Sequence, residues 1–102
     1  MIRNVLAALL ILAATIPGRT QVESIHDAKA LGAGTEVSVS GVVINGDELG
    51  VIRYIQDNTG GLAIYDPDKM GDIDLGDSIT LTGTLVDYNN LLEMQPVASV
   101  VV

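Results

Sequence analysis

One segment constrains this chain more than any other: Tyr54-Ile55-Gln56-Asp57-Asn58-Thr59-Gly60-Gly61-Leu62-Ala63-Ile64-Tyr65. Apolar and polar residues alternate up to Gln56, Asp57 to Gly61 break the run, and apolar residues return through Tyr65. That pattern predicts two strands joined by a tight turn. A second segment, Asp77 to Leu85, sets Ile79, Leu81, Gly83 and Leu85 against Thr80, Thr82 and Thr84, as in a half-buried antiparallel strand. Strands with one apolar face must cover that face with one another. A chain of 102 residues with 48% hydrophobic content can fill one small core, and two domains would not fit.

The flanking sequence supplies the remaining elements. Ser24 suits a helix N-cap, and Asp27 places a charge where the helix N-terminus favours it. A short helix is predicted over Ile25 to Leu31, ended by Gly32 and Gly34. Ile25, Ala28 and Leu31 or Gly32 share a face that would cover one end of a barrel. The first barrel strand is expected from about Glu36 to Ile44, with Val37 and Val39 facing one way and Ser38 and Ser40 the other. Gly41 interrupts it and marks a bulge or bend. Asn45-Gly46-Asp47-Glu48 reads as a turn. The second and third strands are expected over Leu49 to Gln56 and Leu62 to Tyr65. Residues 66–77 lack a helical period, are broken by Pro67, Gly71 and Gly76, and read as a loop. A fourth strand follows over Ser78 to Val86, then the turn Asp87-Tyr88-Asn89-Asn90. The fifth strand runs from Leu91 to about Val101, where Pro96 calls for an edge or bulge.

Five strands at this spacing favour an all-β fold closed as a small Greek-key barrel with a short N-terminal capping helix. Val22 to Val97 resembles the bacterial OB-fold domains found in secreted proteins and beside extracellular nucleases. The resemblance rests on Ser24-Ile-x-x-Ala28, Gly34-Thr-Glu-Val-Ser-Val-Ser-Gly-Val-Val43, Tyr54 to Tyr65, Leu75-Gly-Asp-Ser-Ile79 and Asn89-Asn-Leu-Leu-Glu-Met94. In architecture the chain is also similar to the small periplasmic bacterial OB-fold proteins, which are a signal peptide plus one barrel. The helix such barrels usually carry between the third and fourth strands has no counterpart in the sequence pattern.

The N-terminus carries a compartment signal. Arg3 and Asn4 precede the apolar run Val5 to Ile16, and Pro17, Gly18 and Thr20 end it. A charged start, a short apolar core and a small-residue end describe a secretory signal peptide over residues 1–20. The run is shorter than the roughly 20 apolar residues of a membrane span. The expected location is therefore secreted or periplasmic, with residues 21–102 as the domain. There is no cysteine, so neither disulfide nor thiolate chemistry is available.

Residues 1–20 hold Arg3 and Arg19 and no acid. The remainder has only Lys29, Arg53 and Lys69 against all thirteen carboxylates of the chain. Nucleic-acid affinity depends on cations that neutralise phosphates, so this balance disfavours a nucleic-acid partner.

The resemblance to OB barrels places a binding surface on the face of the second and third strands, with the loops that border it. Period-2 alternation sends Ile55, Leu62 and Ile64 to the core. Ile52, Tyr54, Gln56, Ala63 and Tyr65 then face out, and Arg53 faces in, against its chemistry. Tyr54, Gln56 and Tyr65, with Tyr88, Asn89 and Asn90 of the last turn and Asn45 of the first, are the candidate ligand contacts. The tyrosine rings suit stacking on bases or sugars; they also suit simple cross-strand pairing. The asparagines offer hydrogen bonds, or serve turn geometry.

Asp66, Asp68, Asp72, Asp74 and Asp77, with Gly71, match much of the spacing of a calcium loop. Met70 at a ligand position, the missing final Glu, Pro67 and the lack of flanking helices depart from it, and a solvated acidic loop is the preferred reading, without a metal. His26 and Asp27 are neighbours on a helix and do not face each other. No nucleophile–base set appears, and neither catalysis nor a cofactor is expected. The expected function is a non-enzymatic binding module for a protein or an extracellular polymer. The alternative is a nucleic-acid-binding accessory domain of an extracellular nuclease, with this chain as its N-terminal fragment.

Overall fold

The computed structural model describes residues 21–102, and the predicted signal segment, residues 1–20, lies outside them. A two-residue strand β1 (Val22–Glu23) leads into helix α1 (Ile25–Leu31). Five longer strands follow: β2 (Glu36–Val43), β3 (Arg53–Gln56), β4 (Gly61–Ile64), β5 (Ser78–Tyr88) and β6 (Leu91–Val101). One helical turn, α2 (Pro67–Met70), lies between β4 and β5. The sheet order is β1-β2-β3-β4-β6-β5, and β2 also pairs with β5, which closes a five-stranded barrel with β1 alongside. β4 and β6 are parallel, and the other neighbours within the ring are antiparallel. This is the order expected of an OB barrel.

The alternation of the sequence survives closure. Val37, Val39, Ile55, Leu62, Ile64, Ile79, Leu81 and Leu85 are all buried in one core, with Met94 and Val97 from β6. On the outside, the hydroxyls of Ser38 and Thr82 lie 2.5 Å apart, and those of Ser40 and Thr80 2.7 Å apart. These cross-strand pairs satisfy polar groups while the opposite face stays apolar.

Two glycines permit the closure. At Gly41, β2 passes from β5 to β3, and a Cβ there would lie 2.9 Å from the Gln56 carbonyl oxygen. At Gly83 a Cβ would lie 2.5 Å from the Pro96 carbonyl oxygen and 2.7 Å from Met94 Cγ and Sδ. Around Gly83 the β5–β6 register shifts, so that Gly83 faces Val97 while Leu85 faces Met94. The extra residues of β6 include Pro96, in the bulge its sequence demanded.

Helix α1 begins at its predicted cap: the Asp27 backbone N–H donates to Ser24 Oγ at 3.1 Å. The other free N–H groups of its first turn are also taken. Ile25 N donates to Asp57 Oδ2 at 2.9 Å, His26 N to Thr59 Oγ1 at 3.0 Å, and Ala28 N to the Ser24 carbonyl at 2.9 Å. The β3–β4 turn thus caps the helix and holds Ile25 and Ala28 over the core. Leu31, expected on the same face, is 56% exposed. It is the last residue before Gly32, where the chain leaves the barrel end.

Three expectations change beyond shifts of one or two residues at strand ends. β3 starts at Arg53, four residues later than expected, because Gly50 takes a φ of 79° and the preceding Asp47–Leu49 forms a 3-10 turn. The inward phase of Arg53 stands, and hydrogen bonds compensate it. The residue does point inward and is buried, with its Nε donating to the Ile73 carbonyl at 3.1 Å and its Nη1 to those of Gly50 and Ile52 at 2.8 and 3.2 Å. The segment expected to be all loop contains α2, because Asp66 caps Asp68 N and Lys69 N and Pro67 suits the first helical position. Ala63, expected to face out, is buried: its methyl lies between Tyr54 and Glu93 in the register and is too short to emerge past them.

Candidate functional site

The outer face of β3, β4 and β6 continues into a cleft of about 550 Å³. Leu49, Val51 and Ile52 contribute from the β2–β3 connection, Tyr65 from the end of β4, Tyr88 and Leu91 from the β5–β6 hairpin, and Glu93 and Gln95 from β6. Alternation explains the β6 set, since Leu91, Glu93 and Gln95 share one phase while Met94 faces the core. The two walls are held apart by local devices. On one side Asn45 Nδ2 donates to the Ile52 carbonyl at 2.9 Å and Asn45 Oδ1 accepts from Tyr54 N at 2.7 Å. On the other, Asn89 and Asn90 take φ of 52° and 71° in a two-residue hairpin turn, and Asn90 N donates to Asp87 Oδ1.

The cleft is apolar and open. Leu49, Val51, Tyr65, Tyr88 and Leu91 all remain exposed, Tyr88 at 61%. Glu93 is the exception in character: the residue is only 4% exposed, yet it borders the cleft. Burial pushes its carboxyl above the usual carboxylate range, and no hydrogen bond from a described residue offsets the effect. None of Lys29, Arg53 and Lys69 lines the cleft. Arg53 is spent on carbonyls, and Lys29 Nζ donates to the Gly61 carbonyl at 3.0 Å.

The structure divides the candidates read from sequence. Tyr65 and Tyr88 lie in the cleft. Tyr54 is half-buried and outside it, facing Ala63 across the β3–β4 pair, and Gln56 is exposed beyond it at the far end of β3. Asn45 is buried as a brace for the loop, and Asn89 and Asn90 serve turn geometry; none of the three lines the cleft.

The calcium-like spacing does not bring its carboxylates together among the described residues. Asp66 accepts from Asp68 N and Lys69 N with one oxygen and from Val97 N with the other. Burial raises its pKa, but these hydrogen bonds and the Lys69 charge outweigh burial and lower it. Asp77 Oδ2 accepts from Asp74 N. Among the described residues no three acidic or histidine side chains converge as metal ligands, so the spacing does not gather Asp66, Asp68, Asp72, Asp74 and Asp77, and Asp66 and Asp77 spend carboxylate oxygens on backbone N–H groups instead.

Leu49, Val51, Leu91, Glu93 and Gln95 were not singled out from sequence. The signal for the last three was present in the alternation of Leu91-Leu92-Glu93-Met94-Gln95. It becomes meaningful only once β6 is known to lie beside β4.

No family model and no curated protein matches the chain. A solved structure does: the hypothetical protein ygiW from E. coli, with a TM-score of 0.65 over 84% of this chain and 98% of that chain. The two share a fold. At 17% identity the likeness extends to the small bacterial OB-like barrel and no further. Among the described residues no helix is long and apolar enough to cross a membrane.

Proposed function

We propose that this chain is an exported, non-enzymatic binding module whose cleft between the β2–β3 connection and the β5–β6 hairpin takes an apolar segment of a protein partner. One observation carries the reading: five large apolar side chains stay exposed around a single concavity. Apolar surface gathered in this way is the usual mark of a recognition site. The lining supplies a carboxyl, an amide and two phenols, with no imidazole or serine hydroxyl to act as a base or nucleophile. A photo-reactive phenylalanine analogue at Leu91, and separately at Leu75, which is exposed outside the cleft, tests the reading in the native compartment. Partner cross-links from position 91 alone support it. Equal cross-linking from both positions refutes it.

Export rests on the charged-then-apolar pattern of residues 1–20. Mass spectrometry of the protein from the periplasmic or culture fraction should find those residues removed. Soluble cytoplasmic protein that keeps Met1 would contradict it.

A nucleic-acid partner is the second reading, favoured by Tyr65 and Tyr88 in the cleft. The missing cations oppose it. Fluorescence anisotropy with single-stranded DNA and RNA should show little binding at physiological salt, and tight salt-resistant binding would reverse the ranking.

A further inference from the structure

Glu93 is the one lining group that the fold does not explain. The residue as a whole is only 4% exposed, no described residue donates a hydrogen bond to it, and its carboxylate is left to open onto an apolar cleft without a cation. A carboxyl held like this gives up part of its hydration and has no protein donor in exchange. A leucine or glutamine on the same phase would close the barrel face as well. The surroundings are complementary to positive charge in two further ways. The rings of Tyr65 and Tyr88 share the cleft and offer faces that attract cations. The described residues are strongly acidic, and Asp47, Glu48 and Asp87 lie in the two segments that form the walls.

We infer that Glu93 is a recognition residue, and that the cleft takes a basic side chain, lysine or arginine, flanked by apolar residues in an extended segment of a protein partner. This deepens the proposed function and rests on it. The basic group would meet the Glu93 carboxyl at the cleft floor, where low polarity strengthens the attraction and a cation restores what burial removed. The flanking apolar residues would cover Leu49, Val51 and Leu91. Charge complementarity selects this occupant over an acidic segment, which Glu93 would repel, and over a second copy of this acidic chain.

The test uses ¹⁵N-labelled protein titrated with three blocked tripeptides, acetyl-Leu-Lys-Leu-amide, acetyl-Leu-Gln-Leu-amide and acetyl-Leu-Glu-Leu-amide, and with butylamine. The lysine peptide should shift the amides of Tyr65, Leu91 and Glu93 and bind at least about tenfold tighter than the glutamine peptide; the glutamate peptide should bind weakest. In Glu93→Gln the lysine and glutamine peptides should bind alike. Equal binding of those two peptides to the unaltered protein would overturn the inference and leave the apolar cleft reading standing. A lysine preference that survives Glu93→Gln would overturn the role of Glu93. Butylamine binding as tightly as the lysine peptide would overturn the assignment to a protein segment. Failure of every peptide to shift cleft amides would overturn this inference and the proposed function together.

Discussion

Asp57 should be the most informative residue for stability. Its Oδ1 accepts from Thr59 N at 2.7 Å, Thr59 Oγ1 at 2.6 Å and Gly60 N at 3.0 Å, and its Oδ2 accepts from Ile25 N at 2.9 Å. One side chain thus shapes the β3–β4 turn and caps α1. Burial raises its pKa, but these four hydrogen bonds outweigh burial and lower it from 3.8 to about 2. At about 1.4 kcal/mol per unit, the ionised form contributes roughly 2 kcal/mol to folding at neutral pH.

Asp57→Asn keeps the shape but turns an amide N–H₂ toward one of these donors. It should lose about 2 kcal/mol, which for a domain of this size is a fall in Tm of about 8–16 °C. The folded-state pKa is depressed, so the contribution is complete above the unfolded value near 3.8 and disappears as pH falls through that value toward about 2. Urea unfolding of both proteins between neutral pH and about pH 3 measures the gap. It should be widest at neutral pH and narrow in acid. A gap under about 0.5 kcal/mol at neutral pH, or one that does not change with pH, would refute the reasoning.

Gly83→Ala should destabilise by at least about 2 kcal/mol in urea unfolding, since the added methyl meets the Pro96 backbone and Met94. Arg53→Met fills a similar volume but strips donors from the carbonyls of Ile73, Gly50 and Ile52; a loss of about 2–4 kcal/mol is expected, with amide shifts centred on residues 50–52 in NMR spectra. Tyr88→Ala should leave the thermal melt almost unchanged and weaken capture of the lysine tripeptide, because the ring is exposed in the cleft. Tyr54→Ala should do the reverse, lowering stability by a few tenths to about 1 kcal/mol with binding intact, because the ring pairs across β3–β4 outside the cleft.

Strand phase was legible in the sequence because it is a local property. Val37 and Val39, Ile55, Leu62 and Ile64, and Ile79, Leu81 and Leu85 alternate with polar or small residues, and one buried face admits only that register. The Ser24 cap, the Gly41 bend and the Pro96 bulge were legible for the same reason: each is the steric or hydrogen-bonding habit of one residue type. Most of the site was not. Sequence pointed to Tyr65 and Tyr88 but grouped them with Tyr54, Gln56 and three asparagines on a face that the barrel divides. The one-turn helix α2 escaped notice because four residues show no period, and its cap, Asp66, also holds Val97 from a distant strand.

Sequence alone determined the phase of the core strands and most of the turns, since period and turn chemistry act over a few neighbours. Only the tertiary structure decided that the β3–β4 turn caps α1 across 32 residues of chain. It alone set Arg53 beneath three carbonyls and Glu93 at the floor of an apolar cleft, because barrel closure places β6 beside β4 and brings the two bordering loops together. Closure is a long-range constraint, and residue spacing carries no record of which strands it will make neighbours.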